Sequence, residues 1–346
     1  MTLRTGLLIL PSRPARALAD LAARAEALGY DDVWFADERF FREVYSVLAL
    51  AAAATTRIRL GPGVTDPYSR HPALTAMAIA TLDDISSGRA ILGIGAGVSG
   101  FNELGVSADR SAVAIREAVE LIRRLLAGQT VTVKGEQVSF DGGRLDFTPP
   151  RASLPVYVAS QREAGCRVAG RVADGAIMQG CVADPLVRFF KRAVAEGARR
   201  AGRDPSAVEL VARINVCIAD DAEAAREAMR PSIVRSLAAQ RRDFFTFRTA
   251  GLEIPDALGD AVARLPYTHD PAPLMQVAPL VPDAFVDAVA LTGTPADVTR
   301  GVVRLARHGI GQLMVYPMAA DGNVAGTIER FQTEVMPAVR KDLERS

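Results

Sequence analysis

Residues able to do chemistry gather in five short stretches of this 346-residue chain. The first is Asp37, Glu38 and Arg39; the second runs from Gly63, Val64, Thr65 and Asp66 to Tyr68, Arg70 and His71. The third holds Gly95, Gly97, Ser99, Asn102 and Glu103, the fourth Ser160, Gln161 and Arg162, and the fifth Gln179, Gly180 and Cys181. A carboxylate such as Asp37 or Glu38 serves as acid or base near neutrality when its surroundings raise its pKa. Arg162 carries the planar fork that grips a phosphate bidentately, and the amides of helix starts favour the same anion. The run GIGAG (93–97) reads either as a dinucleotide-binding turn or as a tight turn that needs small residues.

Other chemistries are disfavoured by what the sequence lacks. The three histidines, His71, His269 and His308, are not at metal-ligand spacing. The three lysines, Lys134, Lys191 and Lys341, lie away from all five stretches, which argues against a Schiff base. Lys and Arg total 41 against 40 for Asp and Glu, so the formal charge of +1 offers no electrostatic basis for nucleic acid or an anionic membrane as partner. Cys166, Cys181 and Cys217 are odd in number and far apart, which points to a reducing compartment rather than a disulfide framework. Cys181 reads first as a packing residue. The apolar run near the N-terminus is ended by Pro11, too short for a signal-peptide core, so a cytoplasmic location is expected.

The five stretches share one position in the local pattern: each follows an apolar run of strand length. GLLIL (6–10), DVWFA (32–36), IRLGPGV (58–64), RAILGIG (89–95), LPVYVAS (154–160), DGAIMQG (174–180), VELVARINVCIA (208–219) and IGQLMVYP (310–317) read as eight strands. Segments with helical apolar spacing separate them, at 16–28, 44–54, 72–86, 108–126, 162–172 and 184–201, with a closing helix at 325–343. Such an alternation predicts an α/β fold, a (β/α)8 TIM barrel in a single domain over residues 1–346. Two insertions are expected: a β-hairpin at about 130–148, between strands four and five, and a Pro-rich, aromatic-bearing segment at about 236–290, between strands seven and eight. Helices are expected at 221–240 and 295–308 on either side of the second insertion. In a barrel, active sites collect at the C-terminal ends of the strands, where all five stretches would lie.

The runs WFADE (34–38), GPGVTDPYSRHP (61–72), SSGRAILGIGAG (86–97), PVYVAS (155–160) and ADGAIMQG (173–180) resemble the bacterial-luciferase-like flavin and deazaflavin oxidoreductases, in particular their F420-dependent branch that includes methylenetetrahydromethanopterin reductase. The resemblance runs from residue 3 to about 220 and again from 293 to 320. It implies a barrel whose mouth holds a deazaflavin or flavin ring, backed by a non-prolyl cis peptide that falls here at Gly63–Val64. It also implies catalysis by Asp37 and Glu38, and cofactor contacts from Gly63, Val64, Thr65, Gly97, Ser99, Asn102, Ala159, Ser160, Gln161, Arg162, Gly180 and Cys181. Two positions depart from the pattern: Glu38 stands where several relatives have histidine, and Ser99 where they have an acid, which Glu103 would have to replace. Outside the resemblance, Glu38 reads equally as a salt-bridge partner of Arg39 or Arg42.

The implied function is reversible hydride transfer between F420 and a small organic substrate. The alternative is an FMN-dependent monooxygenase, in which His71 would matter; otherwise His71 reads as a cap beside Pro72. A non-catalytic flavin-binding barrel is the third reading. Members of the family usually pair through helices near strands two to four, so a homodimer is expected.

Overall fold

Apolar stretches bounded by Gly and Pro become strands here, and the amphipathic stretches between them become helices, because each buries its apolar face against the other. The computed structural model describes residues 3–97, 99–240 and 243–345. The chain packs as two compact units, one of Arg4–Met178 with Arg192–Val211, the other of Gln179–Lys191 with the residues from Ala212 onward.

In order, the first unit's elements are β1 (Arg4–Ile9), α1 (Ala15–Ala27), β2 (Asp32–Phe35), α2 (Val44–Ala53), β3 (Arg59–Pro62), α3 (Pro72–Ile85), β4 (Leu92–Ile94), α4 (Phe101–Leu104) and α5 (Ser111–Leu126). An antiparallel hairpin, β5 (Val131–Lys134) and β6 (Ser139–Gly143), precedes β7 (Val156–Ala159), α6 (Glu163–Val172) and β8 (Gly175–Gln179). The chain continues through α7 (Asp184–Arg200) and β9 (Glu209–Ile218) to α8 (Ala222–Ala239), α9 (Phe245–Thr249), α10 (Asp256–Ala263), α11 (Pro271–Val277) and α12 (Asp283–Val289). It ends with β10 (Ala290–Gly293), α13 (Pro295–Arg307), β11 (Gln312–Met318), α14 (Val324–Arg330) and α15 (Met336–Glu344). The strands expected of a (β/α)8 barrel are thus β1 to β4, β7, β8, β9 and β11, each within a few residues of its expected bounds.

Apart from the β5–β6 hairpin, the paired strands of the first unit run parallel. β1 pairs with β2 from Gly6↔Asp32 to Ile9↔Phe35, and β2 with β3 from Asp32↔Arg59 to Phe35↔Pro62. β4 pairs with β7, and β7 with β8. Bridges at Leu60↔Ala90 and Thr65↔Ile94 tie the third strand and its exit to the fourth. This approach leaves no room for side chains: a Cβ on Gly61 would stand 1.8 Å from the Ile91 carbonyl oxygen, and one on Gly93 2.3 Å from that of Pro62. The glycines of GIGAG are therefore accounted for by packing, as the tight-turn reading expects.

The N-terminal ends of these strands are closed by paired charges. Arg59 grips the fully buried Asp32 through two hydrogen bonds of 2.6 and 2.8 Å, and Glu209 accepts from Tyr157 at 2.8 Å and from Arg4. Tyr157 also packs edge-on against the buried Trp34. The C-terminal ends, where the chemistry-bearing stretches begin, carry the loops.

Two features differ from the expectation. The segment after α8 is not irregular: it folds as α9 to α12, and β10 adds to β9 in parallel, from Ala290↔Asn215 to Gly293↔Ile218. Its prolines start helices instead of interrupting them. Pro271 occupies the first turn of α11 behind the cap of Asp270, and Pro255 and Pro282 immediately precede α10 and α12. The expected closing helix is likewise divided, with a single π-turn at Phe331–Val335 between α14 and α15.

The close strand approach gives a direct test. Gly61→Ala should cost about 3 kcal/mol or more, because the neighbour it meets is backbone. Gly128→Ala, with φ +74° and open space around it, should cost only about 1–2 kcal/mol for the left-handed backbone. Urea unfolding followed by circular dichroism would rank the two; equal losses would contradict the packing account.

Candidate functional site

As β2 ends, the Ala36 amide still bonds to the Ile9 carbonyl at 2.9 Å, and the next side chain is Asp37. The exit of β3 runs beside it, because the Gly63 amide bonds to the Phe35 carbonyl at 2.7 Å. Thr65 is fully buried there, its main chain bonded on both sides to Gly93 and Gly95. Its hydroxyl donates to Asp37 Oδ2 at 2.7 Å. Asp37 Oδ1 accepts from Arg39 Nη1 at 3.2 Å.

The Arg39 guanidinium also reaches Asp66 and Ser69. Asp66 is 2% exposed, and its Oδ1 accepts from the amides of Tyr68 and Ser69 at 2.8 and 2.7 Å. Its Oδ2 accepts from the Ser69 hydroxyl at 2.8 Å. The Arg39 amide in turn donates to Ser99 Oγ at 3.2 Å. Arg39 thus joins the loops that follow β2, β3 and β4, the first two through its guanidinium and the third through its amide.

Burial raises the Asp37 pKa above the usual carboxylate range. Nearby Asp66 adds to the rise, while Arg39, the Thr65 hydrogen bond and Arg70 hold it back. A carboxyl group shifted in this direction exchanges a proton closer to neutrality than an exposed aspartate does.

The expected site residues divide into three groups. Asp37, Thr65 and Ser99 meet in the network just described. Gly63, Val64 and Ala159 meet beside it: Val64 and Ala159 both pack on Gly95, and Gly63 sits on Trp34. The Gly63–Val64 peptide is cis as expected, and so is Arg39–Phe40.

The remaining positions lie outside the network. Asn102 is exposed in α4. Ser160 Oγ accepts from the Arg162 amide at 3.0 Å and so turns the chain into α6, where the Arg162 side chain is exposed and Gln161 partly so. Gly97, with φ +68°, packs against Phe101. In the other unit Gly180 lies against Val289, and Cys181 is fully buried, as a packing residue should be.

Arg39 is committed to Asp37 and Asp66, and Arg42 donates to the carbonyls of Pro11 and Ser12. His71 caps α3, accepting from the Ala73 amide at 3.1 Å, while its other nitrogen meets the Ser139 carbonyl at 3.0 Å. That is the capping role expected beside Pro72.

Sequence reasoning shortlisted Asp66 without giving it a role, and passed over Ser69 and Tyr45. The signal for the first pair was present in Asp66-Pro67-Tyr68-Ser69, an order suited to an Asp side chain that caps the amides two and three residues on. Tyr45, in the first turn of α2, has no comparable signal. The Arg70 guanidinium lies 4.9 Å from its ring centroid, and Arg70 bonds Glu43 at 2.7 Å.

Comparison with known proteins agrees with this fold. The 5,10-methylenetetrahydromethanopterin reductase of Methanolobus tindarius is 33% identical over 313 residues, covering 89% of this chain and 92% of its own. The enzyme of the same name from Archaeoglobus fulgidus is 32% identical over 98% of this chain and 100% of its own. The structure of the coenzyme F420 dependent tetrahydromethanopterin reductase from Methanopyrus kandleri superposes with a TM-score of 0.82 at 26% identity, over 97% of this chain and 99% of that one. The fold is accordingly a (β/α)8 barrel. With the family described as luciferase-like monooxygenase matching residues 3–312, the chain belongs to that family.

Proposed function

We propose that this oxidoreductase passes hydride between coenzyme F420 and a small organic substrate, with Asp37 as the group that gives or takes the accompanying proton. The observation that carries the reading is the part-buried Asp37 carboxyl at the end of β2, pinned at both oxygens and raised in pKa. The deazaflavin, when bound, supplies a hydride held on carbon, so the protein's own work is positioning, polarity and exclusion of water.

The residues suit that work. Val64, Gly95 and Ala159 form a floor of small and apolar groups, and a larger side chain at position 95 would meet Val64 within 2.8 Å. Gly63 and Val64 would back the ring, and Thr65, Gly97, Ser99 and Asn102 would edge it. Ala159, Ser160, Gln161 and Arg162, at the start of α6, would take the phosphate. Glu38, next to Asp37, would polarise the substrate. The segment at 236–290 would select the substrate.

The description of the family as monooxygenases favours FMN as the second reading. Titration of the purified chain with F420 and with FMN, followed by fluorescence quenching, separates the two. F420 should bind at least about tenfold tighter, a difference of about 1.4 kcal/mol; tighter binding of FMN would overturn the proposal. Asp37→Asn should keep F420 binding while slowing hydride transfer about 10²-fold or more, which single-turnover absorbance of the cofactor would read.

The same reading includes a homodimer. On α3 the residues Leu74, Met77 and Ile85 are 45–50% exposed, and Leu50 on the adjoining α2 is 44% exposed. With exposed Thr81 they form a stripe at helical spacing that carries no charge. An apolar stripe of this kind is suited to a second copy of itself. Met77→Glu should convert the protein to a monomer in light scattering after size exclusion, without loss of helical signal; an unchanged mass would refute this assignment. Among the described residues no helix is long and apolar enough to cross a membrane; the same reading places the protein in the cytoplasm, whose reducing conditions suit the buried Cys166, Cys181 and Cys217.

A further inference from the structure

Asp66 is a buried acid that the proposed chemistry does not use. It is 2% exposed, and a carboxylate so placed must be paired to stay charged. Its Oδ1 accepts from the Tyr68 and Ser69 amides at 2.8 and 2.7 Å, and its Oδ2 takes the Ser69 hydroxyl at 2.8 Å and Arg39 Nη2. The same guanidinium carries its other nitrogen, Nη1, to Asp37 Oδ1 at 3.2 Å and to the Asp37 carbonyl. Each arm of the fork thus has its own acid. The backbone behind the fork is fixed as well, since the Arg39 amide donates to Ser99 Oγ at 3.2 Å.

We infer that Arg39 is a positioning residue for Asp37 and that Asp66 is its anchor: Asp66 holds one arm of the guanidinium so that the other meets Asp37 Oδ1 and fixes the orientation of that carboxyl. The inference rests on the proposed role of Asp37 in proton transfer, and it makes the shape of the cation matter as well as its charge. Arginine's planar fork serves two acids at once, whereas lysine is a point charge. In Arg39→Lys the side chain ends where the arginine has its Cζ carbon, one bond short of both acids, and has to lean to one of them. Asp37 is 13% exposed and can still be met by water, while Asp66 cannot. The ammonium therefore goes to Asp66 and leaves Asp37 Oδ1 without a charged donor.

The titratable and charged groups around Asp37 come from three elements. Glu38 and Arg39 share its loop, Asp66 and Arg70 come from the loop after β3, and Tyr45 and Glu43 stand at the start of α2. The Thr65 hydroxyl holds the other carboxyl oxygen at 2.7 Å. Arg39→Lys changes no formal charge in this set. A shift in Asp37 caused by that substitution therefore reports geometry.

The test needs neither cofactor nor turnover. In the full-length ligand-free protein labelled with carbon-13 at the aspartate carboxyl carbons, the Asp37 signal is assigned by its loss in Asp37→Asn and titrated by NMR. Arg39→Lys should raise its midpoint by about one pH unit, making it a roughly tenfold weaker acid although the positive charge is kept. Asp66→Asn keeps an oxygen for the Tyr68 and Ser69 amides but removes the charge that competes for the cation. In that background arginine and lysine at position 39 should give Asp37 the same midpoint to within about 0.3 unit, and comparing the two cancels the direct effect of the lost Asp66 charge. An unchanged or lowered midpoint in Arg39→Lys, or an equal difference between arginine and lysine with and without the Asp66 charge, would overturn the inference. A residue that merely filled space would move neither reading. Far-UV circular dichroism at neutral pH checks that each variant is folded, and Arg39→Lys alone decides the matter should Asp66→Asn not fold. These readings stand even if F420 fails to bind, so failure of this inference and of the proposed function can be told apart.

Discussion

A carboxylate taken out of water must be paired or it protonates, and the mouth of this barrel is organised around that requirement at Asp37. The Thr65 hydroxyl takes one oxygen and the Arg39 guanidinium the other. Because Arg39 also serves the nearly inaccessible Asp66, two loops are held by one cation, and the amide of the same residue holds a third at Ser99. Loops of an α/β barrel are otherwise the least constrained part of the fold. Here the electrostatic demand of two buried acids gives them a fixed arrangement.

That arrangement is possible only because the strands beneath it are in close register. Thr65 faces Asp37 because β2 and β3 pair in step to Phe35↔Pro62, and because Gly61 and Gly93 let the third and fourth strands approach to backbone contact. At the other end the strands are locked by Arg59 on Asp32 and by Arg4 and Tyr157 on Glu209. The pairing there does not expose a carboxylate to substrate. The two ends thus use the same residue types in different settings: ion pairs that seal the N-terminal end, and at the C-terminal end a carboxyl held by one hydroxyl and one guanidinium.

Much of this was legible in the sequence. Eight apolar runs alternating with helical periodicity give the barrel, and residues that follow such runs are the candidates for chemistry, so Asp37, Thr65 and Ser99 could be named in advance. Partnership was harder to read. Arg39 lies 27 residues from Asp66 and 60 from Ser99, and no local pattern records a contact that only strand register creates. Arg39 looked like a neighbour for Glu38 because proximity in sequence was the available guide. The segment between α8 and β10 was illegible for a different reason. Proline punctuates a chain without saying on which side the helix lies, and Pro255, Pro271 and Pro282 all stand at helix starts.

The two departures from the family pattern, Glu38 and Ser99, bear on where a proton can reside. With serine at position 99, the acids joined by the Arg39 guanidinium are Asp37 and Asp66, so two carboxylates against one guanidinium leave one net negative charge. A proton entering this cluster neutralises it, and the donors decide where the proton settles. Asp66 accepts from two amides, a hydroxyl and Arg39. Asp37 has two side-chain donors, one of them at 3.2 Å, and burial already raises its pKa. Asp37 is thus held by fewer donors than Asp66. Ser99 serves as an acceptor that fixes the Arg39 backbone.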